Sequence, residues 1–351
     1  MRSRSDHKPL SDEEMQLRGA ELMPFGVTYL DDTLLGIERK DLILVGAYSG
    51  AGKTQLVTNI AKHVSSLGKK VFFLALEAEN REIETRMKFN IAVDIFLKDP
   101  CRPRVNIDYA LWLHGLVPEM TIYNIQAEKI MREKHRTLYT FYKTKDFGLK
   151  DFVVEFSEAA AHGADLIVVD HAHYFDWGNQ DDNQALKEIV TTARNLNLLQ
   201  NVPIILVSHL RKKDYKSNLY APTLEDFHGS SELYKRATKA ITLGPGDMTG
   251  SGMVDTYINV VKSRTRGEVT RYTGVATFNF KGNFYAKEYR VGKSNQKRDN
   301  EFESLERNCV PSWLRNVDHR GGGNYPDVEK KTTVPAYRLR NFAPQGVPRD
   351  S

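Results

Sequence analysis

A glycine-rich loop between an apolar run and an amphipathic segment constrains the fold more than any other feature of the sequence. Residues 47–54, AYSGAGKT, fit the phosphate-loop spacing G-x-x-x-x-G-K-[ST] with alanine in the first position. The run LILVG at 42–46 predicts a strand before the loop, and apolar residues at helical spacing predict a helix from about Gly52 to Gly68. This order would place backbone N–H groups and a helix N-terminus around a phosphate; a fortuitous glycine-rich turn is the alternative.

Three further apolar runs, each short and continuous, predict strands that are buried on both faces of a parallel sheet. They are KVFFLAL, ADLIVVD and VPIILVS, and amphipathic segments such as NQALKEIVTTARNLNLLQN separate them. The alternation predicts an α/β fold with a mostly parallel central sheet flanked by helices. Toward the C-terminus, alternating β-branched and aromatic residues around Gly267 and Gly282 predict antiparallel hairpins that extend one edge of the sheet.

Composition divides the chain into an arm, a core and a tail. Residues 1–24 are polar and lack an apolar period, residues 25–290 carry the strand and helix patterns, and residues 291–351 lose the periodicity and are predicted to be irregular. The one compact apolar patch of the tail, around Trp313 and Leu314, could either anchor a protein partner or pack on the core.

Charge and cysteine content exclude some classes of protein. The excess of 50 Lys and Arg over 45 Asp and Glu gives a net charge of +5, which suits a polyanionic partner but is too small to indicate one by itself. The 2 cysteines have no metal-ligand spacing, which argues against a disulfide scaffold or a zinc module. No apolar run approaches the roughly 18 residues of a membrane helix, so we expect no membrane partner and a cytoplasmic location.

The phosphate loop and the end of a later strand predict a site for ATP with Mg²⁺. The Lys53 ammonium would bridge the β- and γ-phosphates, and the Thr54 hydroxyl would be a magnesium ligand. Asp170 closes the buried run ADLIVVD, where its carboxylate can reach the magnesium shell. We expect His171 and His173 to pack or shape a loop instead of holding a metal, because no third ligand follows nearby. The residues expected to hold the nucleotide are Ser49, Gly50, Ala51, Gly52, Lys53, Thr54 and Gln55.

Hydrolysis also needs a group that orients water against the γ-phosphate. Glu77 ends the second strand pattern and should emerge at the same edge of the sheet as Lys53, so we predict that it is the base or water-positioning group. Glu79 is a weaker alternative for this role. Glu77 could instead cap the helix that begins near Asn80.

These motifs occur in an order that resembles the RecA-like ATPase domain of DnaB-like replicative helicases, also called superfamily 4. In that family a strand ending in a catalytic glutamate follows the phosphate-loop helix, and ALEAENREIETRM resembles it with Glu77 at the matching position. VPIILVSHLRK resembles the strand ending in a γ-phosphate sensor, TLEDFHGSSELYKRATKAITL the DNA-loop segment, and INVVKSRTRGEV the strand with a basic pair that acts on a neighbouring subunit. The resemblance covers about residues 25–289 and implies a RecA-like P-loop NTPase core.

The resemblance also implies roles for residues at matching positions. His209 would be the sensor, where bacterial members usually carry Gln, and Lys262 with Arg264 would reach the γ-phosphate of the neighbouring subunit. Arg266 interrupts the usual spacing to the following glycine, so either arginine can be the finger, and Arg264 is favoured. Solvated charges on an exposed hairpin are the alternative.

Two segments are predicted to contact nucleic acid. The loop after the sensor strand is basic and can neutralise phosphates, although such a run can also be a solvated loop. Its basic residues are Arg211, Lys212, Lys213 and Lys216. In the second segment the resemblance places three residues near the phosphates of single-stranded DNA: His228, Gly229 and Ser230.

As a whole, the resemblance implies a magnesium-dependent ATPase that forms a homo-oligomeric, hexameric ring on single-stranded DNA and translocates to unwind duplex, with RNA as an alternative strand. A RecA- or KaiC-like ATPase that forms a filament or ring without unwinding is one alternative function. A nucleotide-switched loading component of a mobile-element or defence assembly is another. Family members usually carry an N-terminal collar or primase domain, which residues 1–24 are too few to form.

Overall fold

A nine-stranded sheet organises the part of the chain that the computed structural model describes, which is residues 9–178, 181–210, 222–227, 235–248, 253–266, 272–279 and 284–293. The strands are β1 (Leu42–Ala47), β2 (Val71–Ala75), β3 (Leu138–Tyr142), β4 (Leu166–Asp170), β5 (Ile204–His209), β6 (Lys239–Met248), β7 (Met253–Ser263), β8 (Tyr272–Asn279) and β9 (Phe284–Lys293). The helices are α1 (Asp12–Ala20), α2 (Thr28–Leu34), α3 (Lys53–Ser66), α4 (Glu82–Lys98), α5 (Tyr109–Leu113), α6 (Thr121–Lys134), α7 (Leu149–Ala161) and α8 (Asp182–Gln200).

The strand order is β3-β2-β4-β5-β1-β6-β7-β8-β9. Neighbours from β3 to β6 pair in parallel, and β6 to β9 pair antiparallel. The predicted fold class is therefore confirmed, including the antiparallel strands on either side of Gly267 and Gly282. The β6–β7 hairpin was not predicted from the sequence.

Two apolar clusters cover the two faces of the sheet. Along β1, alternate side chains enter alternate clusters, with Ile43 and Val45 on one face and Leu42 and Leu44 on the other. The first face packs against α2, α3 and the start of α4, and the second packs against α7 and α8. The apolar faces predicted for the two flanking helices are confirmed, because all ten residues are buried: Leu56, Val57, Ile60, Ala61 and Val64 in α3, and Leu186, Ile189, Val190, Ala193 and Leu196 in α8.

A helical insertion between β2 and β3 forms a third cluster that the sequence did not predict. Phe89 in α4 packs on Tyr109 and Trp112 of α5 with ring centroids 5.1 and 4.9 Å apart, and Phe96 packs edge-on against Tyr123 of α6. The insertion leads into β3, which is the edge strand beside β2.

The arm contains a helix that lies outside the core. Ser11 caps α1 in a capping box with Glu14, and α1 buries none of its residues. Met23 is buried and bridges Ile37, so the packed core begins two residues earlier than predicted. The tail patch at Trp313 and Leu314 lies outside the described residues. Within the described ranges no helix combines the length and the hydrophobicity needed to cross a membrane.

A buried histidine beneath the insertion should make stability pH-dependent. Burial, with Lys62 and Lys134 nearby, lowers the pKa of His135 to about 4 from its usual 6.5, and its Nδ1 lies 2.9 Å from Ser65 Oγ. The unfolded chain therefore binds the proton first, and the stability difference is lost as pH falls from about 6.5 toward 4. Allowing for partial solvent access, we expect a loss of about 2 kcal/mol.

Denaturant unfolding of the wild type and His135→Gln between pH 4 and 8 measures this loss. The variant should show a shallower fall in the free energy of unfolding below pH 6.5 than the wild type. His162→Gln, at the exposed end of α7, is the matched control and should follow the wild-type curve. Parallel curves for His135→Gln and the wild type would contradict the prediction.

Candidate nucleotide-binding site

The phosphate loop connects β1 directly to α3. Gly52 is the N-cap of α3, and Gly50 and Gly52 adopt left-handed φ angles of 79° and 84°, which side-chain-bearing residues rarely adopt. The Ala51 N–H donates to the Tyr48 carbonyl at 3.3 Å and closes the turn. The strand and the helix predicted around the loop are both present, and the amino end of α3 faces the loop as an anion site requires.

Lys53 joins the phosphate loop to the end of β5. The side chain is buried, and its Nζ lies 3.4 Å from the Tyr48 carbonyl oxygen and 3.2 Å from His209 Nδ1. His209 is level with Ala47 in the β1–β5 pair, which brings the predicted sensor beside the start of the loop. Burial lowers the pKa of Lys53, while the carboxylates of Asp170 and Glu77 oppose that shift.

Asp170 and Thr54 form an oxygen-rich position beside Lys53. The Thr54 hydroxyl hydrogen-bonds the Asp170 carboxylate at the end of β4, and Asp170 Oδ1 is buried without a hydrogen-bond partner among the described residues. Burial raises the pKa of Asp170 to about 6. Hydroxyl and carboxylate oxygens suit Mg²⁺, and the unpartnered Oδ1 is a suitable ligand, so these residues fit the ion that the sequence predicts.

Glu77 emerges at the same edge of the sheet as Lys53. Its Oε2 lies 2.9 Å from His171 Nε2, and its Oε1 accepts a hydrogen bond of 3.2 Å from the Tyr174 hydroxyl. The alternative role as a helix cap is not what the structure shows, because α4 begins only at Glu82 and the Glu82 carboxylate accepts from the Glu79 N–H.

A histidine cluster that the sequence placed only as packing or loop residues adjoins this glutamate. The rings of His171 and His209 lie edge to face with centroids 4.2 Å apart, and His173 Nδ1 accepts from the His209 N–H at 3.4 Å. Burial, with His209, His173 and Lys53 nearby, lowers the pKa of His171 to about 2. The fully buried imidazole of His171 is therefore neutral near pH 7.

Lys262 and Arg264 lie at the opposite edge of the sheet from the phosphate loop. The Arg264 N–H donates to the Thr238 carbonyl, and the Thr238 N–H donates to the Leu42 carbonyl at the amino end of β1. The loop follows Ala47, five residues and about 17 Å further along the strand direction. Neither basic residue can therefore contact a phosphate held by the loop of its own chain.

The two arginines differ in their surroundings. Arg266 is half-buried and its Nη1 donates to the Asp32 carbonyl at 3.1 Å, whereas Arg264 is exposed. Burial, with Arg264 and Arg194 nearby, lowers the pKa of Lys262 to about 8. Arg194 of α8 was not singled out in the sequence, where it belongs to a polar helix face.

The predicted DNA contacts at Arg211, Lys212, Lys213, Lys216, His228, Gly229 and Ser230 lie outside the described residues. The residues that precede the two segments are described. Leu210 and Phe227 form an antiparallel bridge and are both buried. They pack over Gly46, where an added Cβ would lie 2.4 Å from the Phe227 ring, so both segments start beside the strand that carries the phosphate loop.

The parallel sheet, the phosphate loop at the end of its β1 strand and the antiparallel C-terminal strands define a RecA-like P-loop domain. The family model of the DnaB-like helicase C terminal domain matches residues 23–281, and the chain belongs to this family. A search of curated proteins gave no match.

Solved structures with a similar fold agree with this assignment. One structure, of an isolated ATPase domain, matches with a TM-score of 0.64 and 17% identity over 78% of this chain and 94% of that chain. A structure of a DnaB-like replicative helicase and its interactions with primase matches with a TM-score of 0.62 and 17% identity over 78% of this chain and 66% of that chain. A KaiC-like protein from Pyrococcus horikoshii matches with a TM-score of 0.50 and 14% identity over 76% and 98% of the two chains.

Proposed function

We propose that this chain is a magnesium-dependent ATPase that assembles as a ring, a hexamer as the family resemblance implies, and moves along single-stranded DNA to unwind duplex. Residues 49–55 would hold the triphosphate, and Thr54 and Asp170 would hold Mg²⁺. The ion, when bound, neutralises charge on the β- and γ-phosphates. Glu77 would orient the attacking water, and His209, already beside Lys53, would contact the γ-phosphate.

One observation carries the oligomeric part of this proposal: each chain holds two separated halves of an ATPase site. The phosphate loop, Asp170 and Glu77 converge at the carboxyl edge of the parallel strands, while Lys262 and Arg264 lie at the other edge. A head-to-tail contact between copies would bring the second half of one chain to the first half of the next. Repeated contacts of that kind close into a ring when the rotation between copies permits.

A second observation supports the coupling to a nucleic-acid strand. Both segments predicted to touch DNA start from the Leu210–Phe227 bridge, and Leu210 directly follows His209. A change at the γ-phosphate would thus reach the base of these segments through adjacent residues. Arg211, Lys212, Lys213 and Lys216 would neutralise backbone phosphates, and His228, Gly229 and Ser230 would approach them closely.

Nucleotide affinity, ATP turnover with and without single-stranded DNA, and strand displacement on a forked duplex test the proposal in one series. The Lys53→Ala chain should bind ATP about 100-fold more weakly, because it loses charge-assisted bonds to the phosphates. Lys129→Ala, an exposed lysine of α6, is the matched control and should behave as wild type.

Two outcomes would count against separate parts of the proposal. Normal ATP consumption by Lys53→Ala would remove the nucleotide site. DNA-stimulated turnover by the wild type without displacement of the forked strand would remove the unwinding activity and favour the ATPase that forms a filament or ring without unwinding.

A further inference from the structure

Both oxygens of the Glu77 carboxylate are held by one short segment that follows β4. His171 Nε2 lies 2.9 Å from Oε2, and the Tyr174 hydroxyl donates to Oε1 at 3.2 Å. Glu77 itself lies beyond the end of β2, and its side chain is 44% exposed. Without these two partners the carboxylate could rotate about three side-chain torsions, so the segment determines where its oxygens point.

The hydrogen bonds of the segment define which nitrogen of His171 carries the proton. The His173 N–H donates to His171 Nδ1 at 3.3 Å, so Nδ1 is the acceptor and Nε2 carries the hydrogen. The Nε2–H group therefore points toward the Glu77 carboxylate. A carboxylate that is oriented by two neutral donors keeps its negative charge and stays able to accept a hydrogen bond from water.

Both donors are themselves fixed. His171 is fully buried, and its ring packs edge-on against Tyr174 and His209 with centroids 4.8 and 4.2 Å apart. The Tyr174 carbonyl accepts from Lys143 Nζ at 3.0 Å, and the same ammonium lies 5.7 Å from the centre of the tyrosine ring. The support for Glu77 is thus a rigid surface rather than a pair of mobile side chains.

The same segment also sets the distance between Glu77 and the magnesium position. The Asp170 carbonyl accepts from the Leu76 N–H at 2.8 Å and from the Glu77 N–H at 3.4 Å. Residues 170–174 therefore fix both the backbone and the carboxylate of Glu77 against the residue that would hold the ion.

We propose that His171 and Tyr174 are positioning residues that hold the Glu77 carboxylate in the orientation needed to direct water at the γ-phosphate, an inference that rests on the ATPase function proposed above. Neither residue touches the nucleotide in this role. Their removal should therefore lower kcat and leave nucleotide affinity unchanged.

Tyr174→Phe removes one donor and keeps the ring. Because the net worth of one such hydrogen bond is about 1.4 kcal/mol, kcat for ATP hydrolysis should fall about tenfold, with KM and ATP affinity as in the wild type. Tyr139→Phe, which removes an exposed hydroxyl on β3, is the matched control and should keep full kcat.

His171→Leu and His171→Gln separate loss of the donor from a change in packing. The leucine variant should lose at least as much kcat as Tyr174→Phe, while glutamine, whose amide can reach the place of Nε2, should restore most of it. Because His171 is buried and its variants can fail to fold, Tyr174→Phe remains the primary test.

A double variant makes the test independent of general damage to the site. In a Glu77→Gln chain the carboxylate is gone, so adding Tyr174→Phe should lower kcat no further. Full kcat in both Tyr174→Phe and His171→Leu, in a chain whose turnover does depend on Glu77, would overturn this inference alone. A wild-type chain that binds no ATP, or does not hydrolyse it, would instead overturn the proposed function.

Discussion

Glu77→Gln is expected to lower kcat for ATP hydrolysis by about 10²–10⁴-fold, which is the range typical for loss of a general base. Glutamine preserves the size of the side chain and can still meet the Tyr174 hydroxyl, so packing at the edge of the sheet should not change. The carboxylate charge next to Lys53 is lost, and with it the group that draws a proton from the attacking water. ATP affinity should remain within a few-fold of wild type, as about 1 kcal/mol would allow.

Single-turnover hydrolysis together with equilibrium binding of a fluorescent ATP analogue measures both quantities. Glu79→Gln is the matched control, since Glu79 lies two residues further along and its side chain was the weaker sequence alternative. A large kcat loss in Glu79→Gln with normal turnover in Glu77→Gln would show that the two roles are reversed. Equal small losses in both would leave the site without a base at this edge.

The parts of the fold that the sequence predicted are those in which a single physical requirement controls a local pattern. Strands buried on both faces must be continuously apolar, and a helix packed on one face must repeat its apolar residues about every 3.6 positions, as α3 and α8 do. The carboxyl ends of parallel strands meet at one edge. For this reason Glu77, Asp170 and His209 could be placed near Lys53 from the sequence alone.

The helical insertion was missed because α4 packs on two sides. Ile83 and Met87 join the cluster on the sheet, while Phe89 and Phe96 face α5 and α6. Apolar residues therefore occur around most of the helix circumference, and no single amphipathic face marks it. The edge strand β3 is half-exposed, which also gives it a weak pattern.

The site residues that were missed owe their position to the path of the chain rather than to a pattern. His171 and Tyr174 meet Glu77 only because residues 172–174 form a 3₁₀ turn after β4. Arg194 approaches Lys262 and Arg264 only through the packing of α8 beneath the sheet. Neither approach leaves a periodic signal in the sequence, although a basic residue within an otherwise neutral stretch of α8 was a usable indication.

Arg264→Ala is expected to reduce kcat of the assembled oligomer by about 10³–10⁵-fold, the range measured for arginine fingers. Arg264 is exposed at the edge opposite the phosphate loop, beside a lysine whose pKa its own charge helps to lower. Such a group of cations gains most when an anion from another chain approaches. Arg266 already donates to the Asp32 carbonyl within its own chain, so Arg266→Ala should retain most of the turnover. The reverse result would assign the finger to Arg266.

Mixing two inactive chains distinguishes a shared site from a site within one chain. An Arg264→Ala protomer keeps the phosphate loop and Glu77, and a Glu77→Gln protomer keeps Arg264, so their contact in one direction rebuilds a complete site. With equal amounts and random assembly into a head-to-tail ring, about a quarter of the interfaces should be complete and recover a similar share of wild-type turnover. Mixed samples of Arg264→Ala with Arg264→Ala,Glu77→Gln chains should stay inactive. If the first mixture is also inactive although native mass spectrometry shows mixed oligomers, Arg264 does not act on a neighbouring chain.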